Sequence, residues 1–348
     1  MKENFLVYQL YQQLRGVNLS DALTAFSSLS EEQLNHEIAD EYFGSFGVGN
    51  IYNLLDRPYE RFICYEYLLN MLRETNLSKF NQMHKGTPYF FLAWTAFDIG
   101  DYEKGLFYSD AAIAEDKRIP GRDWKSTPIG NMLRLNIDNS VFRFDRRLIN
   151  QIQSLINTFN KNYSVPIKQE QFVSSFVIPL AEDSRNRSIV TSLYSFILEF
   201  YDRKEMLLLR SVKGGTIEPF LMHLLKGTVI FESLIKEIAQ KKSWVMDSGN
   251  ENGKFIKTLG NLNYCSTFTS KYCKLDSNKT VNDLQDILNL IQLFDIHTAI
   301  NTVYLLRNKV AHDLRWNDVF NDVTNYEKLF QQIINAIFIV IQKDFLIL

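Results

Sequence analysis

The strongest constraint on the fold lies near the end of the chain, where residues 326–343 read as one helix rich in Ile and Phe. Its apolar positions spill beyond a single stripe. Other helices must therefore cover it on more than one side, from the same chain or from a second subunit. Its longest greasy run, Ala336 to Ile341, is far shorter than the roughly 20 residues of a membrane span. Three more helical patterns precede it. Residues 217–240 carry Leu221, Leu224, Leu225, Val229, Ile230, Leu234 and Ile238 as a broad apolar face. Residues 282–294 form a second helix. Asp295 can cap a third, in which Ile296, Ala299, Ile300, Val303, Leu306 and Val310 share one face. The intervening residues 243–280 are polar and rich in Gly and Asn, and are expected to form a flexible insertion.

The N-terminal part also reads as helical; the 348-residue chain contains 7 prolines. Ser30-Glu31-Glu32-Gln33 has the form of a capping box, and the glycines of residues 44–49 mark a turn. Residues 87–120 are more specific. Pro88 opens a helix through Ala93, Ala96 and Phe97, Gly100-Asp101 makes a turn, and a second helix runs from Tyr102 through Ala112 until Pro120 stops it. Small Ala side chains facing aromatics let two antiparallel helices approach closely. Ala93, Phe97, Gly100, Tyr102, Ala112 and Pro120 make this hairpin resemble a tetratricopeptide repeat. Gly105 stands where that repeat usually has Ala, which is expected to weaken the second helix slightly. One repeat cannot bury its own faces, so its neighbours are expected to be degenerate repeats or plain helices, together offering a surface to a protein or peptide partner. Residues 121–140 read as a connection. Arg143, Arg146 and Arg147 open a further helix and read as a solvated face. Lys213-Gly214-Gly215 is the expected boundary between a helical region, 1–213, and a C-terminal module, 214–348.

Charge and cysteine usage narrow the function. A net charge of -2 excludes a globally basic nucleic-acid coat, so any such contact is a local patch. Cys64, Cys265 and Cys273 lack the spacing of a disulfide framework or a zinc site. No metal or cofactor is expected. The opening Met1-Lys2-Glu3-Asn4-Phe5 lacks a signal peptide's apolar core. A reduced, cytoplasmic location without a membrane contact is the expectation.

Chemistry concentrates in the third C-terminal helix, at Arg307-Asn308-Lys309-Val310-Ala311-His312. A guanidinium holds permanent positive charge against phosphate oxygens, and an imidazole moves protons near neutral pH. The combination suits phosphodiester cleavage. On a straight helix, five residues turn the two side chains roughly 140° apart. Two copies around a two-fold axis could pool both pairs in one cleft. Upstream, Glu232 and Lys236 stand four apart.

In these residues the C-terminal third resembles the HEPN superfamily (higher eukaryotes and prokaryotes nucleotide-binding domain). Arg307-Asn308-x-x-x-His312 fits its Arg, polar residue, then His pattern, and Glu232-x-x-x-Lys236 looks like its early acidic-basic pair, with Glu237 where an Arg often follows. The resemblance implies a metal-independent endoribonuclease that works as a homodimer, and a toxin or defence role. On that reading His312 acts on the ribose 2′-OH or the leaving oxygen, Arg307 stabilises the charged transition state, and products carry 2′,3′-cyclic phosphates. Asn308 orients the histidine or the phosphate, and Lys309 and Arg315 hold neighbouring phosphates. In one branch of the superfamily a Tyr two residues after the His is modified; here that residue is Leu314. The alternative is a non-catalytic helical scaffold that dimerises or binds nucleotide or protein partners. Among the other histidines, His223 and His297 flank apolar faces and read as structural; His36 and His84 lie in polar sequence.

Overall fold

The computed structural model describes residues 57–75, 77–136, 143–209, 215–248, 252–291, 294–310 and 319–346, together with Ser28 and Ser30. Among them the fold is all-α, without a strand; one isolated antiparallel bridge joins Val245 and Phe255. The main helices are α1 (Pro58–Thr75), α2 (Leu77–Gln82), α3 (Gly86–Asp98), α4 (Tyr102–Arg118), α5 (Pro128–Leu133), α6 (Arg143–Asn162), α7 (Ser184–Leu208), α8 (Glu218–Lys241), α9 (Ser266–Lys271), α10 (Leu284–Leu290), α11 (Ile296–Val310) and α12 (Val323–Ile341), with shorter helical pieces between Gln169 and Glu182. The chain divides into two compact units, Met1–Arg147 and Leu148–Leu348. The division falls inside α6, whereas the glycine pair pointed to 213. That position lies within the second unit, because α7 packs along α8.

In the first unit α3 and α4 form the expected hairpin. Gly100 makes the turn at φ +78°, a conformation open to glycine without steric cost. Asp101 then caps α4 by accepting from the Lys104 N–H at 3.0 Å. Ala93, Ala96 and Ala112 are buried at the seam. Gly105 has a role that propensity alone hides: a Cβ there would sit 2.3 Å from the Phe97 ring. Its missing side chain lets the helices close. We expect Gly105→Ala to destabilise the unit by about 1–3 kcal/mol through this clash, despite Ala's helix preference of about 1 kcal/mol. Urea unfolding checks the sign; a stabilised variant would show that the hairpin has slack. α1 packs on α3, with Tyr65 stacked on Phe91. The expected connection after residue 121 contains structure of its own. Thr127 caps α5 through the Gly130 N–H at 3.3 Å, and Trp124, Ile129, Met132 and Leu133 are buried. Of the arginine trio, Arg146 and Arg147 are exposed, as expected, and Arg147 also donates to the Tyr102 hydroxyl at 2.7 Å.

In the second unit α7, α8, α11 and α12 pack around one another. From Ile333 to Ile341 every residue of α12 is buried, Asn335 among them, as a helix apolar on more than one side demands. Residues 323–346 are long and apolar enough to cross a membrane by length and composition, yet 72% of that window is buried inside the fold. Gly227 of α8 sits where a Cβ would meet the Phe196 ring of α7 at 2.4 Å and Ile333 of α12 at 2.7 Å, so three helices close at this point. Asp295 caps α11 as expected, accepting from the Thr298 N–H at 2.7 Å. Ala299, Ile300, Val303 and Leu306 are buried. The helix expected over 282–294 is shorter, because Asp283 rather than Asn282 caps it and it ends at Leu290.

Within the expected flexible insertion, the described residues are packed. Trp244, Met246, Ile256, Leu259, Leu262, Cys265, Phe268, Tyr272 and Leu275 are buried. Asp247 accepts from the Ser266 N–H at 2.9 Å and so holds the start of α9. Asn301 of α11 accepts from the Asp276 N–H at 2.7 Å, and Asp344 receives Lys242 at 2.6 Å, Lys271 at 2.5 Å and the Tyr272 hydroxyl. Burial alone would raise the Asp344 pKa. The hydrogen bonds from Lys242, Lys271 and Tyr272 outweigh it and hold the carboxyl below its ordinary value. The segment looked loose in sequence because its buried residues follow neither a helix nor a strand period.

Candidate functional site

Arg307 stands near the end of α11, on the side that faces α8. Its Nε donates to Glu232 Oε2 at 3.2 Å, and the other carboxylate oxygen of Glu232 pairs with Lys236 Nζ at 2.6 Å. The structure therefore gathers Arg307, Glu232 and Lys236 into one chain of charges across two helices. Glu232 is the most enclosed of the three, with a side chain 13% exposed, against 36% for Arg307 and 44% for Lys236. A carboxylate between two cations fixes their positions and leaves the group net positive. Because Nε makes the bond to Glu232, the far end of the guanidinium fork is left for an anion.

Asn308 is exposed beside Arg307. Lys309 belongs to the backbone of α11, and its side chain lies outside the described residues, as do His312, Leu314 and Arg315. Sequence reasoning named the Glu232/Lys236 pair and Arg307 separately. Their contact is new, because Arg307 and Glu232 are 75 residues apart in sequence.

His36 lies outside the described residues, whereas His84, His223 and His297 have assigned surroundings. His223 is buried, with Nε2 2.7 Å from the Phe196 carbonyl oxygen and Nδ1 2.7 Å from the Tyr326 hydroxyl. A carbonyl can only accept, so Nε2 carries the proton and Nδ1 accepts from Tyr326. Both ring nitrogens are satisfied by the fold, as expected for a structural histidine. Burial pushes its pKa well below the ordinary 6.5; the Phe196 carbonyl opposes this, and the charges of Arg203 and Lys226 add to it. The unfolded chain takes up a proton near pH 6.5 that the folded chain refuses. Stability is therefore full above the unfolded pKa and falls as pH drops below it, by up to about 1.4 kcal/mol per pH unit. We expect urea unfolding between pH 7.5 and 5 to show this slope, and His223→Gln to flatten it. Equal slopes would remove His223 as the cause.

His84 contacts Asp116 at 3.3 Å and Arg122 at 3.4 Å, with its pKa lowered by burial and then by Arg122. His297 is exposed, 3.5 Å from Asp276. Among the described residues no three His, Cys, Asp or Glu side chains gather as a metal site would require. Burial first, and then Asp276, push the Cys273 thiol up to about 12, far from the thiolate needed of a nucleophile.

Sequence reasoning missed a second charged cluster. Glu199 of α7, 6% exposed, receives Lys226 Nζ of α8 at 2.5 Å, Arg203 at 3.0 Å and the Ser195 hydroxyl. The available signal was one carboxylate inside the apolar run Phe196-Ile197-Leu198-Glu199-Phe200. All its partners are protein groups, which makes it a tie between α7 and α8. Comparison of the chain with protein-family models, with curated proteins and with solved structures finds no match.

Proposed function

We propose that the second unit contains a HEPN-like domain and that the protein is a metal-independent endoribonuclease acting as a homodimer. The observation that carries this reading is the Glu232 anchor on Arg307. A cation near the end of a helix, held by a carboxylate of the neighbouring helix and partly open to solvent, suits a phosphate contact better than a core contact. In the proposal two copies bring two Arg307 and two His312 side chains to one cleft. His312 takes the proton of the ribose 2′-OH or gives one to the leaving oxygen. The 2′ oxygen attacks phosphorus, the 5′ oxygen leaves, and a 2′,3′-cyclic phosphate remains on one product. Arg307 meets the charge that builds on the phosphate oxygens. Asn308 orients the reacting groups, and Lys309 and Arg315 hold flanking phosphates.

The first unit, with its tetratricopeptide-like hairpin, is assigned to a protein or peptide partner that controls cleavage, and a cytoplasmic defence or toxin role goes with that assignment. The alternative is a helical scaffold that dimerises without catalysis. Full-length protein and His312→Ala, compared for RNA cleavage and for sedimentation, separate the two. The proposal expects cleavage by the parent, none by the variant, and a dimer in both. A dimeric parent that cleaves no RNA supports the scaffold.

A further inference from the structure

One helical turn beyond Glu232, α8 borders a cavity of about 500 Å³, lined by Lys236, Gln240, Trp244, Phe255, Ile256 and Lys257 among others. Its size lies within the range of ligand clefts, about 300–1,000 Å³. The packed insertion builds it. Trp244 bonds back to the Ala239 carbonyl at 2.7 Å, and the Val245–Phe255 bridge, with Met246 N–H on the Lys254 carbonyl at 2.9 Å, folds residues 252–257 beside the end of α8. Trp244 and Ile256 are buried in its wall, whereas Phe255 is 60% exposed. Lys257 is exposed too, and among the described residues it has no acidic partner. Lys236 belongs both to this cavity and, through Glu232, to the Arg307 cluster.

We propose that this cavity is a subsite for one unpaired nucleobase, linked to the Arg307 centre through Lys236. An open aromatic face beside lysines is the arrangement that binds single-stranded nucleic acid. The ring stacks on a base, and the ammonium groups meet the phosphates on either side. An apolar helix from a protein partner would instead have to desolvate Lys236 and Lys257 at the rim. A base inside a duplex has no face to offer Phe255, so the subsite selects unpaired residues. Its rim residue Lys236 stands about one turn of helix, roughly 5.4 Å along α8, from the Glu232 anchor, so one lysine serves both the cavity and the Arg307 cluster. Choosing RNA as the occupant rests on the ribonuclease reading.

The test uses full-length protein with His312→Ala, so that RNA survives, and a fluorescein-labelled 12-nucleotide single-stranded RNA followed by anisotropy. Adding Phe255→Ala is expected to weaken binding about 5- to 150-fold, the usual worth of one stacked base. Phe255→Trp is expected to restore it, and the annealed duplex is expected to be indifferent to residue 255. Equal binding with and without Phe255 overturns the subsite, even if the parent cleaves RNA. Phe255-dependent binding alongside an inactive parent keeps the subsite and removes the nuclease reading. No RNA binding by any form overturns both.

Discussion

On the proposed ribonuclease reading, replacing Arg307 by alanine is expected to lower the rate of RNA cleavage by about 10²–10³-fold, the cost of removing one fixed donor from a developing oxyanion. The stability of the protein will barely change. The Arg307–Glu232 pair spans 3.2 Å, but the arginine side chain is 36% exposed, and ion pairs open to water contribute about 0–1 kcal/mol. In a unit of this size that corresponds to a melting shift of at most roughly 2–4 °C. The split between activity and stability is the signature of a residue kept for chemistry. Arg307→Lys preserves the charge but cannot present a planar fork while also bonding Glu232 through a side nitrogen. We expect it to recover only part of the rate. A variant that cleaves like the parent would place Arg307 among ordinary surface residues.

The second large effect is on folding. Glu199→Ala will destabilise the second unit by about 3–5 kcal/mol, because it leaves the ammonium of Lys226 and the guanidinium of Arg203 against each other without their shared anion. Both cations reach Glu199 closely, at 2.5 Å and 3.0 Å, from side chains only 23% exposed. The Ser195 hydroxyl also loses its acceptor. The loss corresponds to roughly 10 °C in melting temperature. Converting the pair together, Glu199→Leu with Lys226→Met, is expected to cost much less than the two single changes combined, since apolar groups of similar size replace a buried ion pair at little net cost. Urea unfolding of the parent, both singles and the double completes the cycle. Additive losses would mean that the two residues do not act through each other.

Local signals were readable in the sequence where neighbours in the chain decide the structure. The Asp295 cap depends on a backbone N–H three residues away, and the buried face of Ala299, Ile300, Val303 and Leu306 depends on helical periodicity. The turn at Gly100 was legible for the same reason, and His223 was read as structural from the apolar face it flanks, although its partners Phe196 and Tyr326 are distant in sequence. What could not be read depends on distant partners. Gly105 looked like a weak spot until the Phe97 ring of the facing helix showed why a methyl group has no room. The core of the 243–280 segment comes from apolar residues scattered without a period among Asn and Gly, and its anchors, Asn301 and Asp344, lie outside the segment. The same limit applies to the candidate site. Arg307 and the Glu232/Lys236 pair each had a pattern, but only folding joins them. Asn308, Lys309, His312 and Arg315 remain assigned by sequence pattern and by the resemblance.

The central claim is that this protein cuts RNA with an arginine and a histidine and without a metal. Incubating the full-length parent with 5′-labelled RNA in excess EDTA, and reading the chemistry of the product ends, tests it most directly. The account predicts cleavage undiminished by the chelator, with a 2′,3′-cyclic phosphate on the upstream fragment. Intact RNA, or cleavage that returns only with added Mg²⁺ and leaves 3′-hydroxyl ends, would contradict it.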